Sequence, residues 1–160
     1  MKTALAFLLT CAALQSCSGT QTTSSAVMYD IEPGDRAAVA AALEDYVDGF
    51  TLGQPELLVR CLSPNLVKKG YRRTAPDQPY GAAVPLSYAD ALELARSRGA
   101  SGEEVDLSKS SVEVFEVADK TAAGKVTAFW GIDYVHLVKE NGRWMIHHIV
   151  WQTEPELAAN

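Results

Sequence analysis

The chain has 160 residues, enough for one domain, and 48% of them are hydrophobic, enough for a packed core. Its formal charge is only −6 and it carries neither internal repeats nor a nucleotide-binding glycine motif, so nothing points to nucleic acid. Three cysteines are too few and too scattered for a disulfide scaffold.

At the N-terminus Lys2 precedes an apolar run over 4–14, followed by Leu14-Gln15-Ser16-Cys17. The run is too short for a permanent transmembrane helix and predicts an export signal. Leu14 and Ser16 before Cys17 resemble a bacterial lipoprotein cleavage box, although Gln15 stands where a small or aliphatic residue is usual. The expectation is removal of 1–16 and acylation of Cys17, with ordinary cleavage nearby as the alternative. Ser18 resembles the pattern for outer-membrane sorting. Ser, Gly, Thr and Gln over 18–25 cannot form a core, so 17–34 is predicted to be a flexible tether holding a domain over 35–153 at the periplasmic side of the membrane, with a tail over 154–160. Cys11 would be lost with the signal, which leaves Cys61 alone in the apolar stretch 57–62. There it reads as a small buried hydrophobe rather than a nucleophile.

Asp35 is expected to cap a helix whose apolar residues Val39, Leu43, Tyr46, Val47 and Phe50 recur at three- and four-residue spacing, with Gly53 beyond its end. Pro55 opens a short second helix that Ser63-Pro64 closes. Residues 68–85 hold three prolines and two glycines without a sustained period, and predict a long loop at the mouth of a cavity. Its Lys68, Lys69, Arg72 and Arg73 could attract an anion, but such a run is more often a solvated face. A third helix starts at Ser87, where Ser-x-x-Asp to Asp90 resembles a capping box, and ends near Arg98-Gly99.

Strands follow: 111–117, then alternating runs over 125–138 and 143–152 joined by Asn141-Gly142, a strong signal for a two-residue type I′ hairpin. Counting outward from that turn pairs Glu140 with Arg143, Leu137 with Ile146, His136 with His147, Val135 with His148, Asp133 with Val150 and Ile132 with Trp151. One face then carries Phe129, Asp133, Val135, Trp144, His148 and Val150, the other Trp130, Tyr134, His136, Met145, His147 and Trp151. Neither face is polar, so each needs a cover. Helices before an antiparallel sheet argue for an α+β fold, with the sheet curved round three helices into an open cone.

The residues from Asp133 to Ile146 resemble the closing hairpin of the nuclear transport factor 2-like superfamily, in particular its bacterial “putative lumazine-binding” branch. The resemblance extends upstream through Ala42-Leu43-Glu44-Asp45-Tyr46-Val47-Asp48-Gly49-Phe50, Leu62-Ser63-Pro64-Asn65, Lys69-Gly70-Tyr71 and Ser87-Tyr88-Ala89-Asp90, and covers roughly 35–152. It implies the cone fold, dimerisation through the outer sheet face and a planar heteroaromatic ligand. It does not imply an activity, because the superfamily holds isomerases, dehydratases, cyclases, binding proteins and scaffolds.

Asp133 and His148, diagonal neighbours on one face in this register, form a candidate general acid/base pair. Tyr46, Tyr71, Tyr88, Asp133, Trp144 and His148 are candidate ligand contacts. His136 and His147 face each other on the opposite side, but zinc needs a third protein ligand and none is in register, so no metal is expected. With Trp130, Tyr134 and Trp151 they are expected to meet a second copy of the chain. The leading reading is an exported, lipid-anchored small-molecule-binding or accessory protein without a cofactor. The rivals are an isomerase- or dehydratase-like enzyme using Asp133 and His148, and a structural envelope dimer.

Overall fold

A computed structural model describes residues 31–75, 77–102 and 105–155; the predicted signal, Cys17 and most of the tether lie outside the described residues. Its elements are α1 (Asp35–Thr51), α2 (Pro55–Cys61), β1 (Leu62–Tyr71), β2 (Val84–Leu86), α3 (Tyr88–Ser101), a 3-10 turn (Leu107–Lys109), β3 (Ser111–Val117), β4 (Thr121–Ala128), β5 (Gly131–Glu140) and β6 (Arg143–Gln152). The strands form one curved, unclosed sheet in the order β2-β1-β6-β5-β4-β3, antiparallel except where β1 runs parallel to β6. Helix α1 lies across the concave side and buries Val39, Leu43, Tyr46, Val47 and Phe50, the predicted apolar stripe. The α+β cone with three helices is therefore the observed fold.

Local chemistry explains the element ends. Ser87 and Asp90 form the reciprocal capping box predicted for α3. Asp35, expected as a cap, instead sits in the first turn of α1 behind Gly34. Its carboxylate accepts from Trp144 Nε1 at 3.0 Å and pairs with Lys139 at 2.9 Å, which ties the helix start to the far end of the last hairpin. Gly53 adopts φ 66° after α1, and a Cβ there would run into Gly99 of α3.

Three departures from the sequence reading decide what the cavity contains. First, β1 continues directly from α2, so the first part of the expected 68–85 loop is a strand with Leu66, Lys68 and Gly70 inward and Val67, Lys69 and Tyr71 outward. Second, the run over 125–138 is two strands: Ala128 pairs with Gly131, and Phe129-Trp130 forms a tight turn between them. Third, β6 carries a bulge at His147. Leu137 pairs with Ile146 as counted, but His136 pairs with His148, Val135 with Ile149, Tyr134 with Val150 and Asp133 with Trp151. One extra residue reverses every following side chain. Ile149 is consequently buried, while Val150 and His148 are exposed on the outer face.

Candidate functional site

The inward residues of β1, β5 and α1 converge on one buried polar cluster. Asp133, from the middle of β5, has no exposed surface, and its Oδ2 accepts from Tyr46 Oη at 2.8 Å and from Trp130 Nε1 at 2.9 Å. Lys68 of β1 reaches the same carboxylate, with Nζ 3.3 Å from Oδ1 and 3.4 Å from Oδ2, and also donates to Tyr46 Oη. A buried carboxylate without partners would be prohibitive in cost; here an ammonium, a phenol and an indole satisfy it together.

The ammonium sits among aromatic faces. Lys68 Nζ lies 5.2 Å from the Tyr46 ring centroid, 5.8 Å from Phe50, 5.9 Å from Trp130 and 5.6 Å from Trp151, all within cation–π range. Trp151 can lie there because Gly70 is its neighbour on the parallel strand: a Cβ on Gly70 would occupy the space of the indole. Burial depresses the Lys68 pKa, with Asp133 opposing the shift, and burial followed by the Asp133 charge raises that of Tyr46 well above the ordinary phenol value. Tyr46 is therefore a neutral hydrogen-bonding phenol throughout the physiological range.

A cavity of about 240 Å³ opens onto this cluster. Lys68, Phe50, Trp130 and Trp151 form its inner part, Val84, Pro85 and Leu86 of β2 form one side, and Arg72 and Arg98 add positive charge. Arg98 stacks on Phe129 with its guanidinium carbon 4.3 Å from the ring centroid. Of the cluster's polar residues that face Asp133, Lys68 and Trp130 line the cavity, whereas Tyr46 and Asp133 lie behind them. Such a chamber, apolar-walled with a few convergent polar groups, can hold a small ligand and orient it.

The predicted site residues divide accordingly. Asp133 and Tyr46 are in the cluster. Tyr71 points outward at the end of β1, and Tyr88 packs against the core at the start of α3 away from the cavity lining. Trp144 shares the inward face but is engaged by Asp35 at the other end of the sheet. His148 is on the outer face, so the Asp133–His148 pair does not form; the bulge at His147 separates them. Trp130 and Trp151, assigned from sequence to the outer face, are cavity walls, because the Phe129-Trp130 turn and the bulge each reverse the alternation. Tyr134 and His136 do face outward, opposite Val150 and His148. His147 lies at the bulge, 2.9 Å from Glu140. Among the described residues no group of three or more His, Cys, Asp or Glu is placed to hold a metal. Cys61 is buried and unpaired among the described residues, and burial pushes its thiol far up, as suits a core residue.

Phe50, Trp130 and Trp151 are cavity walls that the sequence reading did not place there, and Lys68, read as part of a basic loop at the cavity mouth, is instead an inward strand residue at its inner end. The usable signal was the alternation Leu66-x-Lys68-x-Gly70, which a charged residue at an inward position disguised.

Comparison with known proteins gives the same outline. The family model described as “Putative lumazine-binding” matches residues 34–152. Among solved structures, the chain is similar to a nuclear transport factor 2-like protein of unknown function from Silicibacter pomeroyi, with 21% identity over 72% of this chain and 92% of that one and a TM-score of 0.56. It is also similar to nuclear transport factor 2-like proteins of unknown function from Shewanella baltica, with 13% identity, 76% and 95% coverage and a TM-score of 0.55, and from Methylobacillus flagellatus, with 15% identity, 77% and 94% coverage and a TM-score of 0.53. At these identities the likeness is one of fold. No curated protein matches the sequence.

Proposed function

We propose that this chain, which belongs to the “Putative lumazine-binding” family of nuclear transport factor 2-like folds, binds a small planar heteroaromatic ligand in the cavity above Lys68. The observation that carries the reading is the aromatic lining itself: Phe50, Trp130 and Trp151 around one ammonium, at the end of a chamber open to solvent. Its volume of about 240 Å³ is below the roughly 300–1,000 Å³ of sites for drug-sized ligands, which favours an occupant of one or two rings. The indoles offer stacking faces, and Lys68 with Arg72 and Arg98 favours an acidic imide, enolate or carboxylate group on the ligand.

The test is titration of intrinsic tryptophan fluorescence with lumazine and related one- and two-ring heterocycles. Saturable quenching that is weakened by Trp151→Ala and by Lys68→Met supports the site. Quenching unaffected by both variants, or none across the series, refutes it.

The acid/base enzyme reading loses its support, since His148 and Asp133 are on opposite faces. For cellular placement we propose export and acylation at Cys17, supported by the apolar run and the Leu14-Gln15-Ser16-Cys17 box. Cys17→Ala should release the domain from the membrane fraction with its fold intact; a lipid-free wild type cleaved elsewhere would refute the anchor. We also propose a homodimer through the outer sheet face, where Tyr134 and Val150 are exposed side by side. Val150→Glu should then yield monomer by light scattering, and a wild type that is monomeric at high micromolar concentration would exclude the interface.

A further inference from the structure

We propose that Lys68 is a covalent capture site, and that the cavity takes aromatic aldehydes or ketones that condense with Nζ to an imine. The inference rests on the cavity being a ligand site, and adds the chemical class of ligand and the bond formed. Three observations carry it. Among the described residues Lys68 is the one lysine lining the cavity, and it keeps a small exposed surface, while Asp133 and Tyr46 behind it have none. Nζ contacts both a carboxylate and a phenol, so a proton can leave it directly across the 3.3 Å contact to Asp133 or through Tyr46, which itself donates to Oδ2 at 2.8 Å. The walls around Nζ are aromatic rings, which offer apolar faces for the ring of an aromatic carbonyl compound to pack on beside the nitrogen.

The step balances without a redox partner. The ammonium gives one proton to Asp133, and the freed nitrogen lone pair adds to the carbonyl carbon. A proton then moves from nitrogen to the former carbonyl oxygen, producing a carbinolamine. Asp133 returns its proton to that hydroxyl, which leaves as water while the nitrogen lone pair closes the C=N bond. Ammonium plus carbonyl has become protonated imine plus water. The positive charge stays on nitrogen, so the buried ion pair with Asp133 exists before and after the reaction. That continuity is what a neutral imine in an apolar site would lack.

The experiment incubates the full chain with 2-naphthaldehyde and sodium cyanoborohydride, which reduces an imine to a stable amine, and maps the modified lysines by peptide mass spectrometry. Lys68 should be labelled at least about tenfold faster than the exposed Lys69, and excess lumazine should protect it. Tyr46→Phe, which removes the relay hydroxyl, keeps the ring and leaves the direct contact with Asp133, should slow labelling without abolishing it. Lys68→Arg should abolish the adduct while retaining the charge; if that variant does not fold by circular dichroism, the ratio of Lys68 to Lys69 labelling in the wild type, with and without lumazine, decides. Saturable fluorescence quenching by 2-naphthaldehyde with Lys68 labelled no faster than Lys69 overturns covalent capture and leaves ligand binding standing. Neither quenching nor labelling, with either this probe or the heterocycles, overturns both.

Discussion

Replacing Asp133 by Asn tests whether the buried cluster is an ion pair on which the fold depends. The substitution preserves shape but removes the charge opposite Lys68, which is itself buried. Removing one partner of a buried pair costs about 3–5 kcal/mol. Lys68 would still have the Tyr46 hydroxyl and four aromatic faces, so the low end, about 3 kcal/mol at pH 7, is expected, or roughly 10 °C in melting temperature for a chain of this size. Adding Lys68→Met removes the stranded charge, and the double variant should recover at least about 1 kcal/mol relative to the sum of the single losses. The dependence on pH has a definite sign. The folded pKa of Lys68 lies below the unfolded 10.5, so between the two values the unfolded chain binds more protons and the Lys68 contribution to stability rises with pH. Without Asp133 that window extends lower, and Asp133→Asn should regain part of its deficit between pH 7 and pH 9. Above about pH 10 the trend reverses, because Tyr46, whose folded pKa is raised, ionises first in the unfolded chain. Urea unfolding at pH 7, at pH 9 and above about pH 10 measures each of these effects. A single variant within about 1 kcal/mol of wild type at pH 7, or a double variant no better than the sum, would refute the reasoning.

Gly70→Ala should displace Trp151, costing about 1–3 kcal/mol by overpacking and shifting the tryptophan emission; an unchanged spectrum and ligand affinity would show that the indole does not depend on that glycine. Asp35→Asn should lower the melting temperature at neutral pH, and because hydrogen bonds from Lys139 and Trp144 hold the Asp35 carboxyl below its ordinary value, the gap to wild type should close as the solution is acidified through that range; a gap constant from pH 7 to pH 2 would disprove the link. His148→Gln, on the outer face, should leave affinity for any cavity ligand within about twofold, measured in the same fluorescence titration. A large loss there would restore the Asp133–His148 pair that the bulge at His147 separates.

Sequence alone determined the elements whose signals are local. The stripe from Val39 to Phe50, the Ser87/Asp90 box and the Asn141-Gly142 turn each depend on a few neighbouring residues, and they sufficed for the α+β cone. Asp133 and Tyr46 were likewise legible as inward polar groups. What only the tertiary structure decided was which side chains share the cavity with them. A strand's alternation is unforgiving: one extra residue at His147 and a turn at Phe129-Trp130 sent Trp130 and Trp151 inward and His148 outward; no glycine or proline announces the bulge, and the turn's one mark is Gly131, at φ 131°, inside what reads as a single alternating run. Lys68 was hidden for a different reason. A charged residue is placed inside only when a distant carboxylate waits for it, and Asp133, 65 positions away, becomes its neighbour only once β1 lies parallel to β6 and β6 pairs with β5.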